Sequence, residues 1–196
     1  MTQTLLQLAG ASLEPTPLSK GVLVLIDMQN EYFDGPLKLD EVEAATRAAA
    51  GLLQRARAAG TPVIHIRHRG RPGGAFDPEA ARGAIHDDVA PLEGEVVIDK
   101  GLPNAFADTT LADALASHSG KQPILVGFMT HMCVSSTARS ALSHGYMPTV
   151  VTDAVATRAL PDPSGGDISA SDINRIALAE LADRFAILAK SSDIPD

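Results

Sequence analysis

Ile124-Leu125-Val126-Gly127-Phe128-Met129-Thr130-His131-Met132-Cys133-Val134-Ser135-Ser136-Thr137 runs from a β-branched apolar segment, through a turn, into a stretch with helical spacing. A strand that passes by a short turn into a helix is the building unit of a parallel α/β sheet. The same order recurs along the chain. Apolar runs stand at Val22 to Ile26, Val63 to Ile66, Val96 to Ile98, Ile124 to Val126, Thr149 to Val151 and Ala186 to Leu188. Most are apolar on both faces, as strands buried between two layers of helix are. Between them, Val42 to Ala59, Thr109 to Ser117, Cys133 to His144 and Ser169 to Ala182 have helical composition. The alternation predicts an α/β fold, a parallel sheet covered by helices on both sides.

Punctuation supports these boundaries. Gly60, Thr61 and Pro62 end the first long helix, Asp108 is the expected N-cap of the next, and Gly145 closes the helix that begins near Cys133. Arg69 to Glu93 is rich in Gly, Pro and Asp and too long for a plain connector, so it is expected to cover a site. Leu160 to Asp167 reads as a second loop of this kind. At 196 residues and 45% hydrophobic, the chain fits one domain over 21–196, preceded by an arm over 1–20 that packs on the body or crosses to a partner subunit. A net charge of -8 disfavours nucleic acid and anionic membranes as partners. Met1 to Lys20 lacks the basic start of a secretory signal, and one cysteine cannot form an internal disulfide, so a cytoplasmic protein is expected.

Ligands of an open parallel sheet collect at the carboxyl ends of its strands. Asp27 follows the first run in Val24-Leu25-Ile26-Asp27-Met28-Gln29-Asn30, where a carboxylate has low-dielectric walls and needs a partner. Lys100 takes the matching place in Val96-Val97-Ile98-Asp99-Lys100-Gly101; beside Asp27 it would favour both the carboxylate and a nearby thiolate. Cys133 follows the fourth run by a turn, at an expected helix N-terminus whose N–H groups favour a thiolate and bind an oxyanion. His131 is the alternative base, but residues this close at a turn commonly point apart. His65 and His68 flank a strand end without an acidic ligand at metal-binding spacing, so no metal and no cofactor are expected.

Taken together, the strand ending in Asp27-Met28-Gln29-Asn30, Lys100 with Phe106-x-x-Thr109, the Gly127 to Thr137 segment, and Val150-Val151-Thr152-Asp153-Ala154 resemble the isochorismatase-like cysteine hydrolases. That superfamily includes nicotinamidase, N-carbamoylsarcosine amidase, biuret hydrolase and isochorismatase. The resemblance spans roughly residues 21–190. It implies a Rossmann-like three-layer α/β/α fold with six parallel strands, a catalytic triad of Asp27, Lys100 and Cys133, and a cis peptide between Phe128 and Met129. It also implies an oxyanion hole from the backbone N–H groups of Met129 and Cys133.

His68-Arg69-Gly70 replaces the Asp-x-His by which nicotinamidases hold a metal, and the presence of Cys133 disfavours vinyl-ether cleavage of the isochorismate type, which the Asp alone carries. The expected reaction is therefore cleavage of the C–N bond of a small amide, ureide or lactam through a thioester. A vinyl-ether hydrolase, a redox-sensing thiol protein and a noncatalytic scaffold are the rival readings. Gln29, Asn30, Phe33, Phe106, Phe128, His131 and Tyr146 are the candidate substrate contacts, and Arg67, Arg69 and Arg71 are candidates to attract an anion. The expected partner is a small-molecule substrate, and a homodimer or homotetramer is implied by resemblance, with Leu5, Leu6 and Leu8 as possible interface residues.

Overall fold

A computed structural model describes residues 2–196. Six parallel strands form the central sheet: β1 (Gly21–Ile26), β2 (Val63–His68), β3 (Val96–Lys100), β4 (Gln122–Phe128), β5 (Thr149–Ala156) and, last in the chain, β8 (Ile187–Ala189). Their order is β3-β2-β1-β4-β5-β8. The segment Leu160 to Asp167 forms the turn of a small antiparallel hairpin, β6 (Leu160–Pro161) and β7 (Asp167–Ile168). The helices are α1 (Leu5–Leu8), α2 (Glu31–Asp34), α3 (Val42–Ala58), α4 (Leu111–Ala116), α5 (Ser135–Ser143) and α6 (Ala170–Arg184). The three-layer expectation is met.

Strand alternation divides the core in two. Leu23 and Leu25 of β1 face α3 in one cluster, with Val126 and Phe128 of β4. Val22, Val24 and Ile26 face the other way, against residues of α4, α5 and α6. All six residues of β1 are buried, and each large aliphatic among them contributes about 1.5–3 kcal/mol. Val96 and Val97 remain exposed because β3 is an edge strand, so that run is less buried than its composition implied.

After β3 the chain returns to the far side of β1, which puts the reversal of strand order between β1 and β4. Loops diverge there and leave a crevice above the carboxyl ends. Register levels those ends: Ile26 pairs with Ile66 on one side and Gly127 on the other, while His68 pairs with Lys100.

Some helix ends follow local chemistry. Ser169 caps α6 by accepting from the Asp172 N–H, and Gly145, at φ 82°, closes α5 in the left-handed region. Asp108 is a correction: it sits at φ 54°, and α4 begins later, after Thr110, where the Leu111 N–H is donated to Thr109 Oγ1. Parts of the described arm, residues 2–20, lie against their own chain. The Leu5 N–H is donated to Asp183 of α6, Leu6 is buried, and the Leu18 N–H reaches the Pro195 carbonyl. Leu5 and Leu8 stay exposed.

Candidate active site

The level strand ends bring three distant residues together. Asp27 leaves β1 at φ 50°, a left-handed conformation that Asp tolerates better than most residues. Lys100 is the last residue of β3, and Cys133 lies in a single π-helical turn, Thr130–Val134, that leads into α5. Lys100 Nζ is 2.7 Å from Asp27 Oδ2 and 3.3 Å from Cys133 Sγ. The contact with Asp27 is a close ion pair off the line of a good hydrogen bond, since neither carboxylate oxygen has an aligned partner. Relative exposures are 0% for Asp27, 3% for Lys100 and 5% for Cys133, so these charges act on one another with little water between.

Burial is the largest influence on both acids. It raises the Asp27 carboxyl above its ordinary range, against the opposing pull of Lys100. It also pushes the Cys133 thiol up to about 12, with the Asp27 charge adding to the effect and Lys100 opposing it. This corrects the expectation of a thiolate stabilised at a helix start. Cys133 stands in the π turn ahead of α5, and desolvation beside a carboxylate outweighs what helix and lysine supply. Burial thus favours the protonated form of both the thiol and the neighbouring carboxyl, and makes the ionised carboxyl more basic.

The turn that carries Cys133 depends on close backbone approach. Gly127 has φ 115°, and a Cβ there would stand 2.1 Å from the Ile26 carbonyl oxygen. Only glycine lets β4 lie so near the end of β1. The Phe128–Met129 peptide is cis. Beyond it the Met129 carbonyl accepts from the Met132 and Val134 N–H groups, Thr130 Oγ1 donates to the Ala156 carbonyl, and the Met129 N–H has no backbone acceptor among the described residues.

The candidate substrate contacts separate. Asn30 and Phe33 border one surface hollow with His86, on which Phe33 stacks at 4.0 Å. His131 is half-buried and bonded to Thr157 Oγ1, and burial and Arg158 lower its pKa. Four candidates are corrected. Gln29 is fully buried and spends its amide on the backbone, donating to the His68 and Gly83 carbonyls and accepting from the His68 N–H. Phe128 is fully buried in the α3-side core. Phe106 stacks on His144 at the far end of α5 from Cys133, and Tyr146 precedes β5 at the opposite edge of the sheet from the strand ends. Arg67 and Arg69 are paired with Asp99, which offsets the charge assigned to an anion.

His68 Nδ1 is 3.2 Å from Lys100 Nζ, and Phe76 of the 69–93 segment packs edge-on against both His68 and Tyr32. That segment crosses the turn after β1, where Asn30 and His86 N–H groups bond to the Ala84 and Met28 carbonyls. Burial raises the Tyr32 pKa, and the charges of Asp27 and Cys133 add to this. Arg158, in the loop after β5, acts on both Tyr32 and His131, and its Nε is buried without a partner. Sequence spacing offered no sign of Arg158, whereas the place of His68 at a strand end was visible.

The family model of the isochorismatase domain matches residues 21–193. The chain belongs to the isochorismatase family. Within it, a crystal structure of an isochorismatase from Pseudomonas putida superposes with a TM-score of 0.95 at 42% identity, covering 99% of this chain and 100% of that one. A secreted isochorismatase effector of Verticillium dahliae is 41% identical over 88% of this chain and 89% of its own length. A maleamate amidohydrolase of Pseudomonas putida is 34% identical over 71% of this chain and 73% of its own. Among the described residues of this isochorismatase-family chain, no helix is long and apolar enough to cross a membrane.

Proposed function

We propose that the protein is a cysteine hydrolase that opens the C–N bond of a small amide, ureide or lactam through a thioester. The observation that carries this reading is the contact of one lysine with a carboxylate at 2.7 Å and a thiol at 3.3 Å, at the switch point of the sheet. Similarity to a maleamate amidohydrolase supports the choice of an amide bond. Burial, which raises the pKa of the Cys133 thiol, fits poorly with a redox sensor, which works through a low-pKa thiolate.

Asp27 takes the Cys133 proton as sulfur bonds to the substrate carbonyl carbon, and the carbonyl electron pair moves onto oxygen. The Met129 and Cys133 N–H groups receive that oxyanion. When the oxygen pair returns, the C–N bond breaks and Asp27 delivers its proton to the leaving nitrogen. Asp27 next takes a proton from water, whose oxygen attacks the thioester; the C–S bond breaks and the proton returns to sulfur. Lys100 keeps a positive charge beside whichever of Asp27 and Cys133 is ionised.

Arg158 favours a substrate that carries an anionic group at the mouth of the site, because a partly buried guanidinium without a carboxylate partner leaves donor capacity unused. A cytoplasmic setting fits a reactive thiol with no disulfide partner in the chain. The test is hydrolysis of a panel of carboxamides, ureides, lactams and isochorismate by wild type and Cys133→Ala. Turnover of a C–N substrate that Cys133→Ala loses is the expected result; turnover that survives in Cys133→Ala overturns the reading.

A further inference from the structure

We propose that His68 is a positioning residue of the triad: its Nδ1 accepts one N–H of Lys100 and so keeps the ammonium aimed at Asp27 and Cys133. The inference rests on the hydrolase reading above and extends it to a residue outside the triad.

An ammonium group has three N–H donors and no acceptor. Lys100 Nζ has three partners within reach: Asp27 Oδ2 at 2.7 Å, His68 Nδ1 at 3.2 Å and Cys133 Sγ at 3.3 Å. His68 Nδ1 and Cys133 Sγ are its hydrogen-bond partners and Asp27 its counter-ion, in a place almost closed to water. Without His68 one buried N–H would lack a partner, and the head group of a flexible side chain would turn to find one. The acceptor role also settles the tautomer: Nδ1 must present a lone pair, so the ring proton is on Nε2.

His68 is itself held from two directions. Gln29 clamps its backbone, accepting from the His68 N–H at 2.8 Å and donating to the His68 carbonyl at 2.9 Å. Phe76 packs edge-on against the ring with centroids 5.0 Å apart. Register makes His68 and Lys100 direct neighbours on β2 and β3. This is the support expected around a group that must hold position to a fraction of an ångström.

The charged and titratable groups facing the imidazole are Lys100 from β3, Asp27 from β1 and, across Lys100, Cys133. Burial and Lys100 lower the His68 pKa, and Asp27 opposes them. The ring therefore remains a neutral acceptor at neutral pH and protonates only in acid. There it loses the lone pair and becomes a second cation beside Lys100. Activity should then fall on the acid side with contributions from both His68 and Asp27.

Cys133 is the only cysteine, so alkylation by iodoacetamide reads the triad without a substrate. His68→Phe and His68→Asn, checked for folding by thermal melts, are compared with wild type in alkylation rate against pH and in kcat, KM and pH profile on an amide found by the hydrolysis panel. In His68→Phe the alkylation profile should move to higher pH, and kcat should fall about 10- to 100-fold with KM little changed. His68→Asn offers Oδ1 where Nδ1 stood; it should recover most of both, with a shallower acid limb because Asn does not titrate. A folded His68→Phe with wild-type alkylation and kcat overturns the proposal, as does His68→Asn behaving like His68→Phe. If His68→Phe does not fold, an alkylation profile and acid limb in His68→Asn identical to wild type and equally steep overturn it. Should wild type hydrolyse nothing in the panel, the hydrolase reading fails while the alkylation profiles still decide the role of His68.

Discussion

Replacing Lys100 by Met tests the electrostatics of the site through stability alone. Lys100 Nζ stands 2.7 Å from a carboxylate with 0% side-chain exposure on either partner, a direct attraction of about 6 kcal/mol at an effective dielectric near 20. Desolvation of the lysine offsets part of this, and removing one member of such a pair generally costs about 3–5 kcal/mol because the other charge is left buried alone. For a chain of this size that corresponds to a Tm lower by roughly 6–20 °C. Sign and pH dependence follow from Asp27, whose pKa burial already raises from 3.8 and would raise further without Lys100. Above the unfolded-state value the folded variant holds a proton that the unfolded chain releases, so its stability falls as pH rises. The deficit against wild type should therefore be small near pH 4, grow as pH rises, and level off above the raised Asp27 pKa. Urea melts of wild type, Lys100→Met, Asp27→Asn and the double variant, each at several pH values, give the deficit and the coupling energy. A Lys100→Met deficit that is absent at pH 8, or equal at every pH, would refute the buried ion pair.

Three further outcomes are expected. Asp27→Asn should abolish turnover yet speed alkylation of Cys133 at pH 8, because the Asp27 charge is among the influences that push the thiol up to about 12. Gly127→Ala forces a Cβ to 2.1 Å from the Ile26 carbonyl in a left-handed conformation; a loss of about 3 kcal/mol or more should appear as a lower Tm, with slower Cys133 chemistry in whatever folds. Arg158→Gln should raise KM for anionic amides about tenfold or more, the loss of one charge-assisted hydrogen bond, while KM for neutral amides stays near wild type.

Alternation of apolar runs with alanine-rich helical segments was enough to identify the parallel sheet, because strands buried on both faces and helices buried on one leave different periods in the sequence. Asp27, Lys100 and Cys133 were legible as candidates for a related reason: each follows such a run, and strand ends are where a sheet of this kind exposes chemistry. The side-chain environment was not legible. Gln29 is a backbone clamp and Phe128 a core residue because burial on a given face depends on which strands are neighbours. Phe106 and Tyr146 lie away from the thiol for the same reason, despite belonging to segments whose motifs surround it. The direction of the Cys133 shift was not legible from helix position and Lys100, since burial in the packed core and the charge of Asp27, 106 residues away, together raise it. Sequence alone thus determined the layers and nominated Asp27, Lys100 and Cys133 as candidates, which depend on local period and place along a strand. Only tertiary structure decided which way each acid's pKa moves and what surrounds Lys100, because dielectric and charge at a point are sums over every element packed around it.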